Sequence, residues 1–463
     1  MFFEVLQNAV PVLLIGGLLI ILSMVIRWSK SERSGFFNFK KDLSEASAQR
    51  IKIPQIETDK TLIGLSNNKK SVFVQNDAKH VFLCGTTGSG KTVALSNFIK
   101  SGIDYGYPLL IIDGKGDTGK GSILDVVTQM KGDKKIYVIN LNDPEHSDRW
   151  NPFKGTSADI IKDMLINMTN WTEEHYKYNT ERYLQRLIRL MELSGITISL
   201  ESLINYLPSE KFIILSKLLV EKEILTKDEH IKNMELAKIS GQIAESAAAR
   251  FSTIAESRLG KIFDEKGIDI YSALEENAII LFILNPLMYP EMSPLIGRLV
   301  VIDSKKAVSL FYQNRKKRIF YIFDEINSYI SKSMIDLINK SRSANITCIL
   351  ATQSLSDLNN IGGDDFLEPV IENCNNYLIL RQNSATNAET WAKIIGTKKT
   401  MDATYQVKGA DGGELSPTDL GSLRQVWEFV YHPNVIKNLA TGEAIFITKD
   451  LKYHAKIKIN KPL

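Results

Sequence analysis

Apolar residues along the chain fall into two kinds of run. The first is a single stretch near the start, VPVLLIGGLLIILSMVI, which covers residues 10–26 without a charged side chain. The second kind is only a few residues long and recurs from residue 81 onward. Runs that short are typical of buried strands rather than helices, so they predict a sheet.

The long apolar run predicts a membrane-spanning helix. At about 1.5 Å per residue, residues 10–26 form a helix roughly 25 Å long, close to the thickness of a bilayer core when the flanks contribute. Cations accompany and follow the interfacial Trp28: Arg27, Lys30, Arg33, Lys40 and Lys41. They place that side in the cytoplasm. We expect a single-pass anchor over residues 1–28 and a polar juxtamembrane linker over 29–59; a buried core helix is the alternative to the anchor.

Residues 156–258 have a different rhythm. The segments ADIIKDMLINMTNW, ERYLQRLIRLMELSG and 230–259 place apolar residues three and four positions apart, which is typical of amphipathic helices. Gly195 and Pro208 interrupt the pattern and predict boundaries between helices. The sequence therefore predicts an all-α insertion, 156–258, within a domain made of residues 60–155 and 259–463.

Composition mainly argues against certain features: a strongly basic surface overall, disulfides and a cysteine metal site. Of the 463 residues, 44% are hydrophobic and 24% are charged, as in ordinary globular proteins. A formal net charge of +4 indicates no strongly basic surface overall, so a nucleic-acid surface would have to be local. The three cysteines, Cys84, Cys348 and Cys374, are far apart. Their spacing favours buried thiols over disulfides or a metal site.

Candidate chemistry begins after the short run Val81–Cys84. It is followed by GTTGSGKT, which fits the phosphate-binding pattern G-x-x-x-x-G-K-[ST], and then by a stretch of helical rhythm. Strand, glycine-rich loop and helix are the context that this motif requires. The residues predicted to bind a nucleotide are Gly85, Thr86, Thr87, Gly88, Ser89, Gly90, Lys91 and Thr92. Lys91 is expected to reach the β- and γ-phosphates of ATP, and the Thr92 hydroxyl to bind Mg²⁺.

The second half of such a site is predicted at RIFYIFDE. Ile319–Phe323 has the pattern of a buried strand, and Asp324 and Glu325 follow it. Asp324 is expected to join the hydration shell of Mg²⁺, and Glu325 to activate the attacking water. Acidic residues also favour helix starts, so the pair is a weak signal alone. Its occurrence with Lys91 in one chain is what indicates catalysis.

Further polar side chains adjoin predicted strands. Gln353 follows the strand Ile346–Ala351 and is expected to sense the γ-phosphate or position water, because ligands of an open parallel sheet lie at the carboxyl ends of strands. Asp113 ends the strand in LLIID at the same edge. Two residues are candidates for an arginine finger that reaches a neighbouring subunit's nucleotide: Arg342, for which a surface salt bridge is the alternative, and Arg381.

In their order, these segments resemble the FtsK–HerA superfamily. Within it the sequence is most similar to the coupling proteins of type IV secretion in conjugation, the TraD/TraG-like membrane ATPases. The likeness covers residues 60–463 and rests on HVFLCGTTGSGKT, FYIFDE and SRSANITCILATQ. The segment DPEHSDRWNPF is also similar to one that precedes the helical insertion of that family.

The resemblance implies a RecA-like P-loop motor of α/β fold that assembles as a homo-hexamer in the bacterial inner membrane. Such a motor hydrolyses ATP with Mg²⁺ and passes DNA, single-stranded and with an attached relaxase, toward components of a secretion channel. Lys91, Thr92, Asp324 and Glu325 would come from one protomer and Arg342 from the next. Coupling proteins usually carry two transmembrane helices, whereas one is predicted here.

Other interpretations stay open. An FtsK-like pump of double-stranded DNA, in partition or phage packaging, would keep the same motor. A membrane receptor that uses ATP only to assemble would belong to another class, although a pure scaffold needs neither Lys91 nor Glu325. Residues 175–189 interleave aromatic and cationic side chains, as a nucleic-acid surface or an ordinary amphipathic helix would. Finally, residues 444–459 predict a hairpin at the edge of the sheet.

Overall fold

The computed structural model describes residues 59–462 except 169–170, 172, 314–316, 363 and 410–414. The predicted membrane anchor and almost all of the juxtamembrane linker lie outside the described residues. Within the described part, no helix is both long enough and apolar enough to cross a membrane.

Strands of the described residues form one large sheet and one separate ribbon. The strands are β1 (Lys60–Ser66), β2 (Ser71–Gln75), β3 (His80–Cys84), β4 (Leu109–Asp113), β5 (Ile136–Asn140), β6 (Ile279–Ile283), β7 (Ile319–Asp324), β8 (Ile346–Thr352), β9 (Cys374–Ile379), β10 (Thr397–Gly409), β11 (Leu415–Phe429), β12 (Glu443–Thr448) and β13 (Tyr453–Ile459). The ribbon is the antiparallel pair of β10 and β11. The other strands form the sheet, in the order β2-β1-β13-β12-β9-β3-β8-β7-β4-β6-β5.

The part of the sheet from β9 to β5 is parallel. Its strands β3, β4, β6, β7 and β8 are buried along their whole length. Parallel strands are covered on both faces, which is why their sequences are continuous apolar runs rather than alternating ones. Neighbouring side chains enter opposite cores: Phe82 contributes to one, and Val81 and Leu83 to the other.

Helices cover the sheet and form the insertion. The described helices are α1 (Lys91–Asp104), α2 (Ile123–Met130), α3 (Ala158–Met168), α4 (Glu174–Leu193), α5 (Leu200–Tyr206), α6 (Ser209–Glu221), α7 (Lys227–Glu256), α8 (Ile270–Glu275), α9 (Met292–Phe311), α10 (Lys332–Ser341), α11 (Leu355–Gly362), α12 (Asp364–Asn373), α13 (Ala385–Ile395) and α14 (Pro433–Lys437). Helices α3 to α7 occupy the segment in which the sequence predicts an all-α insertion. Helix α4 ends shortly before Gly195, and α6 begins directly after Pro208.

The segment before the insertion fastens it to the sheet domain. Trp150 is fully buried, and its indole Nε1 donates to Oδ2 of Asp303 on α9 at 2.9 Å. The other oxygen of Asp303 lies 2.9 Å from Nζ of Lys306. The Nδ2 of Asn151 donates to the carbonyl oxygen of Ile198, inside the insertion, at 3.1 Å. The WNPF sequence therefore connects the insertion to the sheet domain through fixed hydrogen bonds.

The hairpin predicted over residues 444–459 exists, but its predicted place at the sheet edge is wrong. β12 and β13 pair with each other, β12 also pairs with β9, and β13 also pairs with β1. The edge strand on this side is β2. Gly64 of β1 permits the close approach to β13, since a Cβ on Gly64 would stand 2.3 Å from the carbonyl oxygen of Lys458.

Candidate functional site

The glycine-rich loop joins β3 to α1 at the carboxyl edge of the parallel strands. Gly88 and Gly90 have φ values of +74° and +109°, in the region that favours glycine. These conformations let the loop curl ahead of α1, which begins at Lys91. The unpaired N–H groups of the first helical turn then face the loop and make a site for an anion. The sequence motif thus has the predicted geometry.

Backbone hydrogen bonds hold the loop to the strands on each side of β3. The N–H of Gly85 donates to the carbonyl oxygen of Thr352, the last residue of β8, at 3.2 Å. The N–H of Thr86 donates to the carbonyl oxygen of Arg381, just beyond β9, at 3.0 Å. The loop is therefore positioned by the sheet before any ligand binds.

Three predicted site residues meet at one oxygen atom. Nζ of Lys91 lies 3.0 Å from Oε1 of Glu325, and both side chains are only 9% exposed. The amide Nε2 of Gln353 donates to the same Oε1 at 3.1 Å. The hydroxyl of Thr87 donates to the amide oxygen of Gln353 at 3.3 Å, which extends the network to the glycine-rich loop. Three distant segments therefore form one cluster.

Glu325 occupies an unusual backbone position. Its φ and ψ are 47° and 52°, a left-handed conformation in which residues other than glycine are strained. Such strain persists where the surrounding structure imposes it, and it is concentrated at functional sites. Here β7 ends at Asp324, and the turn that follows directs the Glu325 side chain to Lys91.

Two buried carboxyl groups adjoin this cluster. Asp113 and Asp324 are register partners at the ends of β4 and β7. Burial, with Glu325 and Asp113 nearby, raises the pKa of Asp324 to about 7. Burial also raises the pKa of Asp113 to about 6, although hydrogen bonds from the N–H groups of Lys115 and Gly116 act to lower this pKa. Among the described groups, Oδ1 of Asp324 has no hydrogen-bond partner, so it suits a cation.

The two candidate arginines lie at opposite ends of the parallel strands. Arg381 is the second residue after β9, at the carboxyl ends of the parallel strands, where the glycine-rich loop also lies. Arg342 precedes β8 and is exposed in the turn after α10, at the other end. The structure therefore does not bring Arg342 to Lys91, Glu325 and Gln353 of its own subunit.

His80 holds the turn that carries Arg342. Its Nδ1 accepts a hydrogen bond from the N–H of Cys348 at 3.1 Å, and its Nε2 donates to the carbonyl oxygen of Ile338 at 2.8 Å. Burial lowers the pKa of His80 to about 4, so the ring stays neutral at physiological pH. His80 is the first residue of β3, and it links the strand of the glycine-rich loop to the end of α10.

One part of the loop's surroundings was not predicted. The segment 440–442, just before β12, also contacts the glycine-rich loop: the Thr441 hydroxyl donates to the carbonyl oxygen of Gly88 at 3.2 Å. No local pattern marks this segment as part of a site. Only its small residues, with a glycine beside a strand, could have suggested a close backbone approach.

Comparisons with known proteins extend this description. A family model for the type IV secretion-system coupling protein DNA-binding domain matches residues 69–460. An unbound form of the bacterial conjugative coupling protein TrwB has a TM-score of 0.63 at 18% identity, over 87% of this chain and 89% of that chain. The plasmid coupling protein TrwB in complex with ADP and Mg²⁺ has a TM-score of 0.60 at 17% identity, over 84% and 86% of the chains.

Two further similarities are more distant or shorter. VirB4 of Thermoanaerobacter pseudethanolicus has a TM-score of 0.54 at 11% identity, over 86% of this chain and 96% of that chain. An uncharacterized protein of Mycoplasma pneumoniae is 29% identical over 105 residues, which are 23% of this chain and 70% of that protein. The structural likenesses concern the fold alone, and they confirm the predicted α/β fold, with its mostly parallel sheet.

Proposed function

The chain belongs to the type IV secretion-system coupling protein family, and from this premise we propose that it is a membrane-anchored, ATP-driven DNA translocase. It would deliver single-stranded DNA with its attached relaxase to a conjugative secretion channel in the bacterial inner membrane. The proposal that the chain hydrolyses ATP rests on one observation: Lys91 and Gln353 contact the same oxygen of Glu325, at 3.0 and 3.1 Å.

ATP and Mg²⁺ are the ligands that the site fits. The glycine-rich loop and Lys91 suit the phosphates, and TrwB, a protein of the same fold, has been seen with ADP and Mg²⁺. Thr92 and Asp324 would hold the ion, because a hydroxyl and a carboxylate are ligands that Mg²⁺ accepts beside phosphate oxygens. When bound, Mg²⁺ offsets the negative charge of the phosphates.

Glu325 is the proposed general base. Its Oε1 is in contact with both Lys91 and Gln353, and among the described groups its buried Oε2 has no hydrogen-bond partner. Lys91 would bind the phosphates, and the Glu325 carboxylate would accept a proton from the attacking water. Gln353, bonded to Glu325, would position that water.

The motor is proposed to be a homo-hexamer in which Arg342 of one protomer serves the nucleotide of the next. Arg342 is exposed at the amino end of β8, whereas the glycine-rich loop of the same subunit lies at the carboxyl ends of the strands. This position supports the role. Family membership favours conjugative transfer over a double-stranded DNA pump in partition or packaging. The contact between Lys91 and Glu325 favours a motor over a receptor that uses ATP only to assemble.

The full-length protein in detergent tests this function by its ATPase rate with single-stranded DNA, double-stranded DNA or none. We expect single-stranded DNA to raise the rate most, and the increase to shrink with salt, because phosphate contacts release counterions. Glu325→Gln, which keeps the shape of the side chain, should bind ATP and lose about 10²- to 10⁴-fold in rate.

Two results would count against the proposal. A rate that no form of DNA changes would contradict a DNA motor and favour the receptor. Near-normal turnover by Glu325→Gln would remove that residue from the role of base.

A further inference from the structure

The glycine-rich loop has two flanks of different chemistry. On one side of β3, the strands β8, β7 and β4 end beside Gln353, Glu325, Asp324 and Asp113. On the other side, β9 ends before Arg381, and β12 begins after the segment 440–442. The proposed hydrolysis uses the first flank only. The second flank, made of Arg381, Thr441 and Gly442, is here called the arginine flank.

Direct hydrogen bonds join the arginine flank to the loop. The Thr441 hydroxyl donates to the carbonyl oxygen of Gly88 at 3.2 Å, and the N–H of Gly442 donates to that of Ser89 at 3.0 Å. The carbonyl oxygen of Gly442 accepts from the N–H of Ile459 on β13 at 2.8 Å. The flank is therefore fixed to both the loop and the sheet, as a preformed wall of the site.

Arg381 is tied to the loop of its own subunit, since its carbonyl oxygen accepts from the N–H of Thr86. Its side chain is half-buried, and among the described groups its buried Nε has no hydrogen-bond partner. A buried N–H without a partner is unfavourable. The guanidinium is also planar and stacks on aromatic faces. A nucleoside would suit both properties, since its base can stack on the face of the guanidinium and its ribose oxygens can accept from the in-plane Nε–H.

Space for such a ligand exists beside the loop. A Cβ placed on Gly88 or on Gly442 would meet no atom within 4 Å, so the surface at these residues is open. On the other flank, by contrast, Thr87 is bonded to Gln353, and Lys91 contacts Glu325. The open surface therefore adjoins the arginine flank.

The position of Glu325 sets the direction of the proposed nucleotide. The water activated by Glu325 must meet the terminal phosphate, so that phosphate faces Glu325 and the carboxyl groups of Asp324 and Asp113. The nucleoside end must then leave on the other side of the loop. Resting on the ATPase function proposed above, we propose that the ribose and base lie against the arginine flank, with the guanidinium of Arg381 stacked on the base. Arg381 thus serves its own subunit's nucleotide.

Binding of ATP and of inorganic tripolyphosphate to the full-length protein, measured by calorimetry, tests this assignment. Tripolyphosphate offers the same phosphates without a nucleoside. Arg381→Ala should weaken ATP binding about 2- to 30-fold, the range for a cation on an aromatic face, and leave tripolyphosphate binding unchanged. Lys91→Ala should weaken both, and Arg182→Ala, at an exposed arginine of α4, neither.

Arg381→Lys separates stacking from charge. Lysine keeps the charge, and with it part of the attraction to an aromatic face, but it lacks the planar group, so part of the loss in ATP binding should remain. Full recovery in Arg381→Lys, unchanged ATP binding in Arg381→Ala, or equal losses for ATP and tripolyphosphate would each overturn the assignment while leaving the ATPase intact. If the wild-type protein bound neither ligand, the proposed function itself would fail.

Discussion

Single residues in the site serve more than one partner. Oε1 of Glu325 is shared between the Lys91 ammonium and the Gln353 amide, at 3.0 and 3.1 Å. Each of these partners also belongs to the phosphate site, Lys91 by its place in the motif and Gln353 through its bond with Thr87. Through this oxygen, Lys91 and Gln353 hold the carboxylate of Glu325 beside the glycine-rich loop.

The raised pKa of Asp324, about 7, makes the binding of Mg²⁺ depend on pH. A proton and the ion compete for this carboxyl, so the affinity for Mg²⁺ with nucleotide should rise with pH. Below pH 7 the rise should be about tenfold per unit, and above it the affinity should level off. Isothermal titrations between pH 5.5 and 8 would measure it.

Asp324→Asn is the matched control for that experiment, because it keeps the size of the side chain and cannot bind a proton in this range. It should bind Mg²⁺ with nucleotide weakly at every pH. A flat profile in the wild-type protein would mean that Asp324 is already ionised in the nucleotide-free state and that its burial does not govern the site.

At the scale of elements, β8 has a candidate site residue near each of its ends. Gln353 follows its carboxyl end, and Arg342 lies just before its amino end. The strand has seven residues, and at about 3.3 Å per residue its ends are roughly 20 Å apart. An arginine side chain is too short to span that distance, so Arg342 does not reach the glycine-rich loop of its own subunit, and the proposed role requires a nucleotide on another subunit.

Arg342→Ala should therefore bind ATP normally and turn over slowly. A guanidinium supplied in trans contributes about 10³- to 10⁵-fold in rate by neutralising charge on the transferring phosphoryl group. Mixing this variant with the inactive Lys91→Ala protein should restore some activity, because some interfaces then pair an intact Lys91 with an intact Arg342. Steady-state ATPase assays on the mixtures would measure the recovery.

Verified mixed rings without recovery would contradict this role for Arg342. So would a variant of Arg342 that hydrolyses ATP at the wild-type rate. A loss of ATP binding in Arg342→Ala would instead indicate that the turn between α10 and β8 is needed for folding, and Arg342→Lys distinguishes the two, since it keeps the side chain's length and charge.

At the scale of the whole molecule, the charge-free run over residues 10–26 is predicted to anchor the protein in a membrane. Removing residues 1–29 should release the protein from membranes, because an apolar run of that length is predicted to span a bilayer core. Fractionation before and after a high-salt wash measures this, with the full-length chain as control. A truncated protein that still sediments with washed membranes would contradict the anchor.

Local chemistry was predictable from the sequence wherever a segment needs particular residue types. The glycines, Lys91 and Thr92 are recognisable because a phosphate-binding loop tolerates few substitutes. Asp324, Glu325 and Gln353 were predictable as partners of that loop because parallel strands end at one edge of a sheet. The helical insertion was predictable because apolar residues three and four positions apart share one face of an α-helix.

Tertiary structure decided the features that depend on which strands become neighbours. β1 and β2, which precede the loop, extend the sheet beside β13, so the predicted edge hairpin of β12 and β13 became interior. The pairing of β12 with β9 and β13 brings Thr441 against Gly88, 353 residues away in the chain. Arg342 and Arg381 lie at opposite ends of the parallel strands, because one precedes β8 and the other follows β9. Contacts between such distant residues leave no local period in the sequence, because their free energy arises only once the whole sheet has formed.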